Sequence, residues 1–285
     1  MTPYVLLASA ILAVWLPALK WRGRALDAWI PVFLAALAAG LVSGALTWNG
    51  GAALAILWVL LGRAQSAGGP VRGAFLVLAA GLALALALHV VPGFNNQIVI
   101  EAARFTPDAA PYTQYLNLDK GGAGLLILAT VAQRVRDYGE WGLVLRTAAF
   151  CAAATAAIVA TAGVCIGYFG LAPKLPTAAP VWAATNLLFT CIPETAFFSA
   201  FVQEPLHRLL ATRSALRWLP PAAAALAFGA AHAAGGLPYT VLASAAGLGY
   251  AAAYAATRRV EAAILTHLAV NAVHFFGFTY PRLQS

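Results

Sequence analysis

The sequence predicts an all-α fold, a polytopic transmembrane helical bundle with about eight to ten spans. Hydrophobic residues make up 62% of the 285 positions and charged residues only 9%, whereas a soluble domain carries roughly a quarter charged residues. The charges fall between apolar runs of about 17 to 25 residues, the length that crosses a bilayer. Because backbone polar groups in lipid must be satisfied within the element, these runs are predicted to be helices.

Ten apolar runs are the candidate spans. The third and the fifth are short for a full crossing, which leaves eight spans as the alternative. In chain order the runs are 3–19, 28–47, 51–62, 73–92, 121–135, 142–170, 179–203, 218–235, 237–257 and 261–280. Lys20, Arg22 and Arg24 follow the first run, and no basic residue precedes it. This is the reverse of a signal peptide, so an uncleaved first span is expected.

The basic residues indicate an orientation. If the amino terminus is outside, only four of the 17 Lys and Arg residues fall outside, namely Arg104, Lys120, Lys174 and Arg282; the others, Arg22 included, fall at the cytoplasmic face. We therefore expect an integral protein of the cell (inner) membrane, surrounded by membrane lipid. The net charge of +8 does not indicate nucleic-acid binding, because the basic residues lie singly or in pairs at helix ends.

One long hydrophilic connection, residues 92–120, lies on the outer side in this orientation. A loop of this length is often functional, and the simpler alternative is an interfacial helix followed by a turn. The predicted organisation is an N-terminal transmembrane region over 1–141, which includes this loop, and a core over 142–285 that carries the chemistry.

Glu194 is the one acidic residue predicted to lie deep in an apolar span. An ionisable group at that depth costs about 2.5 to 3.5 kcal/mol on insertion scales, so a function is the default interpretation. Pro193, directly before it, weakens the helix and frees a carbonyl. The structural alternative is a protonated glutamic acid that is hydrogen-bonded to a neighbouring helix.

Polar residues also occur in the spans that follow. His232 lies in one span, and His267, Asn271 and His274 lie in another. Spacings of four and seven place the last three on one face of a helix. A single intramembrane histidine is more often a packing residue, but polar side chains in lipid seek one another. We therefore expect Glu194, His232, His267 and Asn271 to meet in one cavity among the last four helices.

Such a set of residues can hydrolyse an amide or an ester. A carboxylate and an imidazole activate water as general bases, and a second imidazole with an amide donates hydrogen bonds to an oxyanion. Other intramembrane hydrolase designs lack their signatures: no HExxH, no intramembrane aspartate pair and no Gly-x-Ser-x-Gly are found. A nucleophile pair of Cys191 with a histidine is conceivable but has no local support.

Three segments, CIPETAFFSAFVQEPLHRLL, AFGAAH and HLAVN, resemble the motifs of the CPBP family of intramembrane proteases, also called the CAAX protease or Abi family. The family pattern is Glu-Glu-x-x-x-Arg, Phe-x-x-x-His and His-x-x-x-Asn. The second motif corresponds to Phe228–His232 and the third to 267–271, both complete. The resemblance covers about 142–280, and over this half the chain resembles the type II CAAX prenyl endopeptidases of the family.

The resemblance implies catalytic roles for four residues. Glu194 and His232 would position and activate the water, and His267 and Asn271 would stabilise the oxyanion. No cofactor is required by this chemistry, and zinc, held through His232 and His267, is the alternative that the resemblance leaves open. The implied substrate is a membrane-associated or C-terminally tagged protein or peptide.

The first motif departs from the family pattern. Thr195 stands where the second glutamate belongs, and Ser199 stands where the arginine belongs. Because the two lost residues have opposite charge, losing both leaves no unpaired charge in the membrane. A non-catalytic scaffold or immunity protein that keeps the fold is therefore the first alternative function. A small-solute or proton transporter is the second, disfavoured because the chain lacks two similar halves.

Overall fold

A computed structural model describes residues 1–21 and 23–284 and confirms the helical fold class. Arg22, one of the basic residues used to predict the orientation, lies outside the described residues. The first half contains five helices: α1 (Thr2–Ala13), α2 (Trp29–Ser43), α3 (Trp48–Ser66), α4 (Gly69–Ala87) and α5 (Leu118–Thr130). Two two-stranded sheets accompany them, formed by β1 (Leu19–Trp21) with β2 (Arg24–Leu26) and by β3 (Gln97–Ala103) with β4 (Tyr112–Leu116).

The second half is helical over most of its described length. Its helices are α6 (Trp141–Cys165), α7 (Ala179–Asn186), α8 (Ile192–Phe197), α9 (Glu204–Leu209), α10 (Leu219–Ala231), α11 (Leu237–Thr257) and α12 (Val260–Gly277). Two π-helical segments, Leu187–Cys191 and Phe198–Gln203, connect α7, α8 and α9 into one continuous helix. Short 3₁₀ turns occur at Tyr138–Glu140, Ser214–Leu216 and Ala233–Gly235.

Four helices in the described part of the chain are both long and apolar enough to cross a membrane. They are Gly69–Ala87, Tyr138–Cys165, Ala179–Leu209 and Val260–Gly277. The helices Thr2–Ala13 and Trp29–Ser43 are apolar but shorter. These helices support an integral membrane protein, and the number of about ten crossings stays a prediction.

Several predicted span boundaries are wrong, each for a local reason. The run 3–19 is helical only to Ala13, because Pro17 lacks an N–H and disfavours helix at the residue before it. The run 142–170 ends as α6 at Cys165, shortly before Gly167 at φ +67°. The third run is not short, since α3 has 19 residues. For the connection 92–120 an interfacial helix was one of the two alternatives, and the connection forms β3 and β4 instead.

The described residues form two compact units. Unit one comprises Met1–Val99, Tyr115–Ala132 and Leu188–Phe197, and unit two comprises Ile100–Gln114, Gln133–Leu187 and Phe198–Ser285. The helix Ala179–Leu209 contributes residues to both units. The predicted division of roles between 1–141 and 142–285 stays a prediction.

Helix α5 forms the buried centre of unit one. It packs against α1, α3, α4 and α8, and almost every side chain from Leu118 to Leu128 is buried. A helix that is buried on all sides needs small residues where its neighbours approach. Gly122 provides such a place, because a Cβ there would lie 3.0 Å from the Leu54 side chain of α3.

Unit two is built on α6, α10, α11 and α12, which pack against one another. One core cluster joins α10, α11 and α12 through Phe228, Tyr250, Tyr254 and Val270. A second is aromatic: the Trp182 ring stacks on Phe275 with a centroid separation of 4.0 Å. These two clusters hold the amino-terminal end of α7 and the histidines of α12 in fixed positions.

Candidate active site

Glu194 lies in α8, between the two π-helical segments of the helix Ala179–Leu209. Pro193 explains part of this irregularity, since it has no N–H to donate and its ring clashes with the carbonyl four residues earlier in a regular α-helix. A wider π turn before the proline avoids this clash. A proline directly before a glutamate in the sequence thus leads to a non-standard backbone around the carboxylate.

A lysine binds the Glu194 carboxylate within unit one. Lys120 Nζ donates to Glu194 Oε1 over 2.6 Å, and only 16% and 14% of the two side chains are exposed. Lys120 comes from the first turn of α5, 74 positions earlier in the sequence. The carboxylate of Glu194 therefore has a counter-charge at a position with little solvent, where an unpaired charge would be costly.

A glycine allows α5 to approach this carboxylate. A Cβ at Gly124 would lie 2.5 Å from Pro193 Cβ, so no larger residue fits without movement. Gly121 similarly faces Phe189, at 2.9 Å from a built Cβ to Phe189 Cδ1. The two glycines keep the α5 backbone close to α8, which brings Lys120 within reach of Glu194.

A polar cluster fixes the beginning of α5. Asp119 is 1% exposed; its Oδ1 accepts from Asn96 Nδ2 at 3.1 Å and from the Lys120 N–H at 2.8 Å. Its Oδ2 lies 2.7 Å from His89 Nδ1, and the Leu118 N–H donates to Asn96 Oδ1 at 2.9 Å. These bonds satisfy N–H groups that a helix start leaves without partners. His89, for which no role was predicted, therefore holds the residue next to Lys120.

In unit two, His232 forms the carboxyl-terminal cap of α10. Its Nδ1 lies 2.7 Å from the Phe228 carbonyl oxygen one turn earlier. A carbonyl can only accept, so Nδ1 carries the proton and Nε2 of the neutral ring is the acceptor. The Phe-x-x-x-His spacing thus sets the tautomer of His232, and it leaves a basic nitrogen at Nε2.

Phe228 also brings His232 and His267 into one aromatic group. The Phe228 ring centroid is 4.5 Å from that of His232 and 5.6 Å from that of His267. Tyr250 stacks on His267, at 4.2 Å between ring centroids and an interplanar angle of 17°. His267 is 3% exposed, so its ring orientation is determined by these neighbours. Sequence reasoning missed Tyr250.

Asn271 lies one turn after His267 on α12, as the spacing predicted. Its Nδ2 donates to Asn186 Oδ1 over 3.2 Å, and Asn186, from α7, is 4% exposed. A buried amide pair fixes the direction of the Asn271 side chain. Asn186 was also missed, because it stands alone in an apolar stretch with no motif around it.

His274 has aromatic neighbours other than those of His267. Its ring lies 4.4 Å from Phe169 and 5.1 Å from Tyr280, between ring centroids. These contacts favour the packing interpretation that the sequence left open for this residue.

The four predicted site residues are distributed over the two units. Glu194 belongs to unit one, with Lys120, and the other three belong to unit two, where His232 and His267 meet around Phe228 and Asn271 pairs with Asn186. The prediction that all four share one cavity stays a prediction. Thr195 and Ser199, the departures from the first motif, are both buried, at 5% and 4% exposure.

No group of three or more His, Cys, Asp and Glu side chains within residues 1–21 and 23–284 is arranged to hold a metal ion. The zinc alternative, with His232 and His267 as ligands, stays a prediction.

Residues 176–273 match the family model described as "Type II CAAX prenyl endopeptidase Rce1-like". The resemblance inferred from the three motifs is confirmed. The matched segment is about a third of the chain, and it contains Glu194, His232, His267 and Asn271. No curated protein and no solved structure matches the chain significantly.

The match concerns one segment of the chain and indicates a function only at the level of the family. It supports a CAAX-type intramembrane protease, and together with the long apolar helices it supports an integral membrane protein. A protease of this type implies a membrane-associated protein as its substrate.

Proposed function

We propose that this protein is an intramembrane endopeptidase that hydrolyses a peptide bond of a membrane-associated or C-terminally tagged protein, with water activated by Glu194 and His232. The observation that carries the proposal is the family match over 176–273, because this single segment contains all three motifs. The paired, mostly buried carboxylate of Glu194 supports it further, since such groups in spans are usually functional.

In this mechanism Glu194 and His232 Nε2 position a water molecule and one of them removes a proton from it. The hydroxide adds to the scissile carbonyl carbon and forms a tetrahedral intermediate with an oxyanion. The proton is then delivered to the leaving nitrogen as the C–N bond breaks, which gives a carboxylic acid and an amine. A general base or acid of this kind contributes about 10² to 10⁴ in rate.

His267 and Asn271 are the proposed donors to the oxyanion. Both side chains are held by neighbours, His267 by Tyr250 and Phe228 and Asn271 by Asn186. Donors that are fixed before the reaction stabilise developing charge without a further cost of reorganisation. This role is supported by the resemblance and by that rigidity.

Lys120 is the proposed positioning residue for Glu194. The family pattern supplies a cation from the same helix, four residues after the second glutamate, and this chain has Ser199 there. Lys120 supplies a cation from α5 instead. We propose that the ammonium fixes the direction of the carboxylate and compensates its charge.

The decisive experiment compares cleavage by the wild-type protein and by Glu194→Gln, purified in detergent at equal concentration. The substrate panel contains peptides and membrane proteins with different carboxyl-terminal tags, prenylated ones included. We expect cleavage by the wild type and a decrease of about 100-fold or more in the variant.

The matched control is Glu101→Gln, which removes the same charge from an exposed position in β3. It should cleave at the wild-type rate. Unchanged cleavage by Glu194→Gln would remove this residue from the mechanism, and loss in both variants would point to an unspecific effect of charge.

A non-catalytic scaffold or immunity protein is the second candidate. The observation that favours it is the replacement of the Glu/Arg pair of the first motif by Thr195 and Ser199, both of them buried and uncharged. This candidate predicts that a photo-crosslinkable substrate is captured equally by wild type and Glu194→Gln, with no cleavage of any panel member by either.

We also propose that the protein lies in the cell membrane with its amino terminus outside. The distribution of lysine and arginine between the ends of the spans supports this orientation. Reporter fusions at the amino terminus and after Arg213 test it, because a periplasmic and a cytoplasmic reporter, respectively, should be active. The opposite pattern would reverse the orientation.

A further inference from the structure

A cavity of about 640 Å³ opens at one end of the helices of unit two. Four basic side chains line it, those of His207, Arg213, Arg217 and Arg258. None of the described residues that line it is acidic. The other lining residues are apolar except for Ser214; they are Leu210, Ala211, Ser214, Trp218, Pro220, Ala252, Ala255 and Ala256.

The cavity lies where four helical segments begin or end. Helix α9 ends at Leu209, α10 begins at Leu219, α11 ends at Thr257 and α12 begins at Val260. The ends of membrane-spanning helices lie at the level of the lipid headgroups. Trp218, whose side chain is exposed, stands beside the cavity, and tryptophan is enriched at that level. These features favour headgroup depth for the cavity.

The charge around the cavity is positive even after its ion pairs are considered. Glu204 is 7% exposed; its Oε1 accepts from Arg208 Nε at 2.8 Å, and its Oε2 accepts from Tyr254 Oη at 2.8 Å and from Arg258. One carboxylate is thus shared by two guanidinium groups. Arg213 and Arg217 are exposed and add two further positive charges at the opening.

Arg258 is held in an unusual conformation beside this cavity. It caps α11 with φ +56°, in the left-handed region where glycine is the usual residue. Its Nη2 binds Glu204, while its Nε is buried and has no hydrogen-bond partner among the described residues. Residues kept in such conformations cost stability and cluster at binding and catalytic sites.

We propose that this cavity binds the phosphate headgroup of an anionic membrane phospholipid. The arginines match the charge of a phosphate and the planar donor geometry that it accepts. The apolar residues of the lining suit the first part of an acyl chain. Basic pockets between membrane helices are typical binding sites for anionic headgroups. In the predicted orientation this is the cytoplasmic leaflet.

The role of arginines in setting the membrane orientation does not by itself explain this cavity. Arginines at helix ends are common on the cytoplasmic side because they set the orientation during insertion. That role requires neither a cavity nor a buried carboxylate that directs Arg258. The test therefore compares these arginines with a pair at other helix ends.

The experiment titrates the full-length protein, purified in a zwitterionic detergent, with phosphatidylglycerol and follows its melting temperature. Binding to the folded state raises the melting temperature in a saturable way. We expect saturable stabilisation by phosphatidylglycerol and none by phosphatidylcholine or by inorganic phosphate at the same concentration. The variant Arg213→Gln/Arg217→Gln should bind roughly thirtyfold more weakly, and Arg213→Lys/Arg217→Lys should keep most of the affinity.

The matched control is Arg63→Gln/Arg72→Gln, which removes two arginines from the helices α3 and α4. It should bind phosphatidylglycerol like the wild type. An equal loss of affinity in both glutamine variants would overturn the proposal in favour of general electrostatic attraction. Equal stabilisation by phosphatidylcholine would show that the site does not select an anionic headgroup. Equal stabilisation by inorganic phosphate would show that the site binds free phosphate and not a lipid. Either result would overturn the proposal.

Discussion

The carboxylate region of unit one and the histidine region of unit two are built on different physical principles. Glu194 is held by a charge, Lys120, that reaches it because Gly124 allows α5 to lie against Pro193. The two histidines are held by rings, with Phe228 between them and Tyr250 stacked on His267. An acid in an apolar span needs a counter-charge, whereas a neutral imidazole needs only shape and one hydrogen bond.

This difference has a consequence for substitutions. In the carboxylate region, losing one partner leaves an uncompensated charge, so stability and activity should change together. In the histidine region, the reacting nitrogen can be removed with little effect on the aromatic packing, so activity should change alone.

The largest effect is expected for His232→Ala. Cleavage should fall by about 100-fold or more, because the proposed general base is lost. The melting temperature should change little, since the His232 side chain is half-buried and its hydrogen bond is to the Phe228 carbonyl of its own helix. Cleavage rates and thermal unfolding in the same detergent measure both quantities.

The control for this change is His274→Phe, which keeps a ring against Phe169. It should retain cleavage, because His274 lies outside the proposed mechanism. Full activity of His232→Ala would contradict the role of Nε2, and a large loss of stability would contradict the distinction between the two regions.

The second effect concerns the ion pair. Lys120→Met should destabilise the protein by about 3 kcal/mol, the lower end for breaking a buried pair, because both side chains keep some exposure. The double variant Lys120→Met/Glu194→Gln should lose less stability than the sum of the losses in the two single variants, since no unpaired charge remains. Thermal unfolding of the four proteins gives the coupling energy.

Lys120→Arg is the conservative control, because it keeps the charge and should retain stability and most of the cleavage. Lys20→Met, at an exposed position in β1, should have no effect on either quantity. Additive single effects would show that the pair makes no net contribution, and Lys120 would then not be a positioning residue.

The smallest effect is expected for Gly124→Ala. The new Cβ would lie 2.5 Å from Pro193 Cβ, so α5 must move away from α8, at a cost of about 1 to 3 kcal/mol. Cleavage should decrease as Lys120 moves with its helix. Gly73→Ala in α4 is the control, because nothing lies within 4 Å of its Cβ, and it should be neutral or stabilise by up to about 1 kcal/mol. Similar behaviour of the two variants would contradict the close approach.

The site was predictable where its information is local. Phe228 and His232 are separated by four positions, and so are His267 and Asn271, so helical periodicity alone places each pair together. The departure at Thr195 and Ser199 was visible in the same way. Lys120, Asn186 and Tyr250 were missed because each comes from another helix, and no spacing relates them to their partners.

The secondary structure was likewise predictable where the signal is local and was missed where it depends on distant segments. Apolar periodicity located the helices, and α11 has the predicted bounds, Leu237–Thr257. The strands β3 and β4 were missed, because the polar connection has the composition of a loop and its order comes from pairing between two segments. The π turns around Glu194 are similarly a result of the proline in its packed surroundings.

The sequence by itself determined the membrane class, the positions of most helices and the family resemblance. All three depend on composition and on residues within a turn or two of one another. Only the tertiary structure decided which cation faces Glu194, which rings hold His267, and that the arginines around Arg258 border a cavity. The physical reason is that burial is recorded in local hydrophobicity, whereas the choice of a charged or aromatic partner depends on which helices pack together.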